Sequence, residues 1–248
     1  MRRRDLLVSV GSAVACGVCA GAPAAEAGAR GCILPKDGLS KLSNRLELSE
    51  LSERLITTSG DPQIDRGLGR ALVRLSRMFD ERPGFGFVSD DDSPNAYASR
   101  ESQVPGTWGT VLFGRTLFND LLSHKKDKGI AVLAVAAHEF GHVAQFRSGL
   151  EDELLRGQKT VKRLELHADF MSGYFLGTRK REDPSISVWA AGKTFYEIGD
   201  FQYNNRGHHG TPDERVRAAE SGFKYGSRAE DYKTTFRAGA DFVLETFS

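Results

Sequence analysis

Apolar residues recur at helical spacing over most of this chain, and the stretches that break the pattern are short. Leu68, Leu72, Leu75 and Phe79 share one helical face. Asp61-Pro62 opens that helix with a capping carboxylate and a ring whose φ suits the first turn, and Pro83-Gly84 closes it. Next come Phe85-Gly86-Phe87-Val88, Asn95-Ala96-Tyr97-Ala98 and Thr110-Val111-Leu112-Phe113-Gly114, bounded by turn residues such as Asp90-Asp91-Asp92-Ser93-Pro94. These runs predict the strands of a small sheet. Helical spacing resumes over 116–123, and the apolar run 129–146, with Asp127 as its cap, predicts a buried helix. Val161, Leu164, Phe170, Tyr174 and Phe175 mark another helix, and Pro184-Ser185 opens a further helical stretch to about Ile198. A polar loop, 199–210, ends at Thr211-Pro212-Asp213-Glu214, a capping box with Pro in the first turn. Tyr232, Phe236, Phe242 and Phe247 belong to a final helix. The expected fold is α+β, mostly helical, with a small sheet beside the 129–146 helix.

The start of the chain reads differently. Arg2, Arg3 and Arg4 precede a weakly apolar run to Ala22, then Ala-x-Ala sites at Ala22-Pro23-Ala24, Ala25-Glu26-Ala27 and Ala27-Gly28-Ala29. This is the layout of a secretory signal peptide over 1–27, and Arg3-Arg4 before Asp5-Leu6-Leu7 resembles a twin-arginine export signal. Val14-Ala15-Cys16 offers a second route, in which Cys16 becomes a lipidated first residue. Residues 28–60 form an extension in which Leu46, Leu48, Leu51 and Leu55 suit a short amphipathic helix, and 61–248 make one domain. A chain of this length buries about 70% of its unfolded surface.

Composition then narrows the partners. The net charge is +1, and removing three arginines with Asp5 and Glu26 brings the exported chain to about zero. No basic surplus points to nucleic acid. Of three cysteines, only Cys32 survives cleavage, so no internal disulfide is expected. Ile130 to Ala137, the longest apolar run beyond the leader, is too short to cross a bilayer. The exported protein is therefore expected to be soluble, in the periplasm or outside the cell.

Chemistry concentrates in His138-Glu139-Phe140-Gly141-His142. On a helix, His138 and His142 share a face and can aim two imidazoles at one metal, with Glu139 beside them as a base. A catalytic zinc takes three protein ligands and leaves a fourth position open. Downstream, Glu165 and Asp169 again share a helical face among apolar neighbours, where unpaired carboxylates are costly. One can bind metal while the other orients a liganding imidazole. His124 and His167 fit neither spacing and read as structural.

With these motifs the chain resembles the gluzincin metallopeptidases, and Glu165-Leu166-His167-Ala168-Asp169 resembles the HtpX and CAAX-prenyl-endopeptidase type. The resemblance implies a zincin-like domain with one Zn2+ held by His138, His142 and Glu165, with Asp169 behind a histidine. It also implies that Asn95, Ala96, Tyr97 and Ala98 form a strand facing a peptide substrate, although Ser99 to Val104 intervene before Pro105-Gly106, where the family has Pro-Gly-Gly at once. His209-Gly210-Thr211-Pro212-Asp213-Glu214-Arg215-Val216 is similar to the family's His-Pro-x-x-x-x-Arg-Ile segment, with Gly210 replacing the proline. By that match His209 stabilises the oxyanion and Arg215 lies with the substrate-binding residues; His208 is the alternative for the first role, and the other reading of the two histidines is a pair of exposed loop residues.

The function expected is an exported zinc endopeptidase acting on protein or peptide substrates. Its competitors are a metal-stabilised binding or chaperone-like protein and a hydrolase of non-peptide amides. Glu139 separates the first of these, because a structural zinc needs no base and tends to have four protein ligands.

Overall fold

The computed structural model describes residues 56–90, 94–123, 129–197 and 207–247. The expected signal peptide with Cys16, the part of the 28–60 extension up to residue 55 with Cys32 and its leucines, His124, Asp127 and most of the 199–210 loop lie outside the described residues. Among the described residues, eight helices and a three-stranded sheet make the mostly helical α+β arrangement expected.

Helix α1, Pro62–Phe79, starts as expected: Asp61 Oδ1 accepts from the Gln63 N–H at 2.7 Å and the Ile64 N–H at 3.3 Å. Strands β1 (Gly84–Val88), β2 (Ala96–Ser99) and β3 (Thr110–Gly114) follow in the spatial order β1-β3-β2, with β1 parallel and β2 antiparallel to β3. Ile56 bridges Phe87 on the far side of β1, so β2 is the opposite edge of the sheet. Behind it, the Asp90 carboxylate accepts from the main-chain N–H groups of Asn95, Thr116 and Leu117. It thus ties β2 to the first turn of α2, Arg115–Ser123, satisfying donors that a helix start leaves open. Gly114 makes room for this, since a Cβ there would lie 1.9 Å from Asp90 Oδ2.

Helix α3, Ile130–Ser148, is buried on every side through 134–146, the outcome of its nearly unbroken apolar composition. Its N-cap is Gly129 at φ 84, with no side-chain cap. A short α4, Leu150–Leu154, which the sequence pattern did not suggest, turns the chain towards α5, Lys162–Glu182. Residues 164–177 of α5 are also buried without interruption. Then come α6 (Val188–Glu197), α7 (Pro212–Ser227, with both halves of the Thr211–Glu214 capping box formed) and α8 (Tyr232–Thr246).

Helices α5 and α7 approach until their backbones touch. A Cβ on Gly173 or Gly177 would come within 1.9 or 2.2 Å of the Ala219 or Phe223 carbonyl oxygen. The relation is reciprocal: a Cβ on Gly222 or Gly226 would meet the Phe170 or Tyr174 oxygen at 1.8 or 2.1 Å. Two Gly-x-x-x-Gly pairs therefore interlock, leaving no space for a side chain at this contact. Around it Phe140, Phe170, Phe175 and Leu164 are fully buried, each contributing about 1.5–3 kcal/mol of transfer free energy. No helix among the described residues is long and apolar enough to cross a membrane.

Candidate metal centre

Two helices supply the centre. At the α3–α5 contact Gly141 sits against Ala168, where a Cβ would come 3.2 Å from the Ala168 Cα. This approach brings His138 and His142 from α3 against Glu165 from α5. His138 Nε2 lies 3.0 Å from His142 Nε2 and 3.2 Å from Glu165 Oε2; the third side, His142 Nε2 to Glu165 Oε2, is 3.6 Å. With bonds of about 2.0–2.1 Å, a tetrahedral ion holds its ligand atoms about 3.3 Å apart. The three expected ligands thus form a buried triangle that could hold a metal ion.

The groups behind the ligands settle which nitrogen faces the triangle. His138 Nδ1–H donates to Asp169 Oδ1 at 2.8 Å, which leaves Nε2 as the nitrogen that faces the triangle. Asp169 is itself held by Arg215, whose Nε reaches Oδ2 and whose second terminal nitrogen reaches Oδ1, both at 2.7 Å. Arg215 was expected among the substrate-contacting residues. Instead it is 0% exposed, with its guanidinium on Asp169 and 5.7 Å from the Phe195 ring centre. The motif match fixed its place in the chain, but the glycine contact between α5 and α7 decides that this face of α7 turns inward. Phe195 also stands 6.3 Å from the His138 ring, forming an apolar wall.

His142 Nδ1 lies 2.8 Å from Gln145 Oε1, and Gln145 Nε2 donates to the Leu164 carbonyl and to His167 Nδ1, both at 2.9 Å. Sequence reasoning missed Gln145. Its signal was present, a lone amide one turn beyond a ligand on an otherwise apolar helix. His167, expected to be structural, lies on the same network, and burial pulls its pKa down to about 4.

Glu139 is 1% exposed, and among the described residues nothing donates to its Oε2. Burial pushes its carboxyl up to about 8. Burial also works against ionised Glu165, but His209, His142 and the His138 hydrogen bond hold its pKa well below the usual range. Asp169 is likewise lowered, Arg215 overcoming burial. Burial lowers His138, yet the hydrogen bonds to Asp169 and Glu165 raise it to about 9. Three carboxyl groups, two imidazoles of the triangle and the guanidinium on Asp169 are thus buried together.

His209 is the first of the groups that lower the Glu165 pKa. At 1% and 2% exposed, His209 and His208 are not surface loop residues. Gly210, standing where the resembled segment has proline, adopts φ +103 with Leu166 against it; a proline ring, fixed near −65°, cannot take that φ. Strand β2 packs on α3 with Asn95, Ala96 and Ala98 buried and Tyr97 half-buried. The Asn95 side chain accepts from the Ala96 N–H at 2.9 Å. Comparison of the chain with family models, with curated proteins and with solved structures gave no match.

Proposed function

We propose that the chain is an exported zinc endopeptidase with a zincin-like site of the gluzincin kind. The observation that carries this reading is Glu139, a buried carboxylate whose Oε2 takes no donor among the described residues, next in the chain to His138, one of the three residues whose ligand atoms converge. His138, His142 and Glu165 would hold the ion, and the donor set of two imidazoles and a carboxylate suits zinc. Bound zinc would supply Lewis-acid polarisation of a scissile carbonyl and a water of lowered pKa.

The chain's own residues carry the other steps. Glu139 accepts a proton from the attacking water and delivers it to the leaving amine. A dication nearby favours the ionised form that this needs, offsetting the burial that otherwise raises its pKa. Asp169, held by Arg215, keeps the His138 ring in register. His209 donates to the developing oxyanion. The substrate lies extended along β2, the edge strand on α3, through main-chain hydrogen bonds, with Asn95, Ala96, Tyr97 and Ala98 as its contacts.

Metal analysis paired with a peptide-library digest tests the reading. About one zinc per chain and cleavage that chelators abolish are expected. A chain that stays metal-free after zinc dialysis sinks it, and a zinc-loaded chain that binds proteins but cleaves nothing replaces it with a metal-stabilised binding protein. An intact Met1 on the exported species argues against the cleaved leader.

A further inference from the structure

Resting on the metal reading above, we infer that Gln145 and His167 are positioning residues for His142, and that main-chain carbonyls of α5 and α8 decide through them which nitrogen of that ligand faces the metal. The network runs from His142 Nδ1 to Gln145 Oε1 at 2.8 Å, from Gln145 Nε2 to His167 Nδ1 at 2.9 Å, and from His167 Nε2 to the Phe236 carbonyl oxygen at 3.0 Å. A branch joins Gln145 Nε2 to the Leu164 carbonyl oxygen at 2.9 Å.

Every direction in this network follows from its two ends. A carbonyl oxygen only accepts, so the Gln145 atom facing Leu164 is its NH2 group and the amide has a single orientation. That NH2 also faces His167 Nδ1, which must then accept; the ring is neutral with its proton on Nε2, the nitrogen that meets the Phe236 carbonyl. The two carbonyls thus impose the same assignment independently. Gln145 is left with its oxygen towards His142, so His142 Nδ1 carries the proton and Nε2 presents a lone pair to the triangle.

The network spans three helices and is closed to water. Gln145, His142 and His167 are each 0% exposed, so a partner lost here is not replaced by solvent. Packing holds the far end: Gly239 of α8 lies so near that a Cβ would meet the Phe170 ring at 2.7 Å and His167 Cδ2 at 3.3 Å. The Phe236 ring meets the His167 ring edge-on, with centres 4.8 Å apart. A residue that the sequence marks only as a structural histidine thereby connects α8 to a metal ligand on α3.

Zinc affinity of the full exported chain, measured by competition with a chelating dye, tests the inference. Gln145→Leu is expected to weaken zinc by roughly ten- to a hundredfold, the usual effect of losing a group that orients a ligand. His167→Leu should also weaken it, whereas His167→Asn, which restores an acceptor near the Nδ1 position, should recover most of the loss. Ser172→Ala supplies the control, because it removes a buried hydrogen bond between the same two helices, Ser172 Oγ to the Ala134 carbonyl at 2.7 Å, without touching a ligand. It should lower stability and leave zinc affinity alone.

Parent-like affinity in Gln145→Leu and His167→Leu overturns the inference, as does a drop in Ser172→Ala equal to theirs. Should the variants fail to fold, imidazole nitrogen NMR of the parent chain decides, with the proton expected on Nδ1 of His142 and Nε2 of His167. The opposite tautomer at either ring overturns it. A parent that takes up no zinc defeats the metal reading instead, and the NMR assignment distinguishes that result from a failure of the network.

Discussion

His138 and His142 stand one turn apart on α3 and turn the same nitrogen to the same point, yet the groups behind them differ in kind. Behind His138 is an ion pair, Asp169 with Arg215, seated where α5 and α7 touch backbone to backbone. Behind His142 is a chain of neutral groups, Gln145 and His167, ending on a carbonyl of α8. The charged arrangement adds a carboxylate that helps attract a cation, but it depends on burying two full charges together. The neutral arrangement adds no charge and depends only on hydrogen-bond direction. One ligand is thus anchored through α7 and the other through α8, so the two can be disturbed separately.

Removing one charge should disturb the first arrangement most. Arg215→Met leaves Asp169 buried with only the His138 hydrogen bond, and about 3–5 kcal/mol of unfolding free energy should be lost in denaturant titration. Adding Asp169→Leu to Arg215→Met should recover part of that loss, because the pair couples strongly. Additive losses would show that the two residues do not act as one unit.

Gly173→Ala attacks the same arrangement through the backbone. The added carbon would lie 1.9 Å from the Ala219 oxygen, so α7 must shift and carry Arg215 with it. A loss of about 1–3 kcal/mol and a lower melting temperature are expected. An unchanged melting temperature would mean that α5 and α7 are not in backbone contact.

Asp169→Asn makes the outer partner of His138 neutral, like that of His142. Zinc affinity should fall by roughly ten- to a hundredfold in a competition titration. Equal affinity would show that the charge behind His138 contributes nothing to holding the ion. The smallest effect belongs to Gly69→Ala on the outer side of α1, where an added Cβ meets nothing within 4 Å. It should raise stability by about 0.4–1 kcal/mol, the opposite sign to Gly173→Ala; destabilisation by the exposed glycine change would undo the contrast.

The buried cluster that could hold an ion was legible in the sequence because it is local, with His138 and His142 four apart on one helix and Glu165 and Asp169 four apart on the next. The helix starts at Asp61 and Thr211 were legible for the same reason, since a cap lies within a few residues of the donors it satisfies. Three features were not legible. The inward turn of Arg215 depends on two glycine pairs far apart in sequence, whose spacing means little until both helices meet. The partnership of Gln145 with His167 and the Phe236 carbonyl depends on where α8 packs. The burial of His208 and His209 reverses what a polar, glycine-bounded loop suggests, and Gly210 beside them, at φ +103, lies against Leu166.

The central claim is that Glu139 works beside a bound zinc as a base, and one variant tests it most directly. Glu139→Gln keeps the shape of the side chain and removes its ability to accept a proton, so zinc content and melting temperature should stay near the parent's while cleavage of a peptide library falls by roughly 10²- to 10⁴-fold. A Glu139→Gln chain that carries zinc and cleaves the library as fast as the parent would contradict the account.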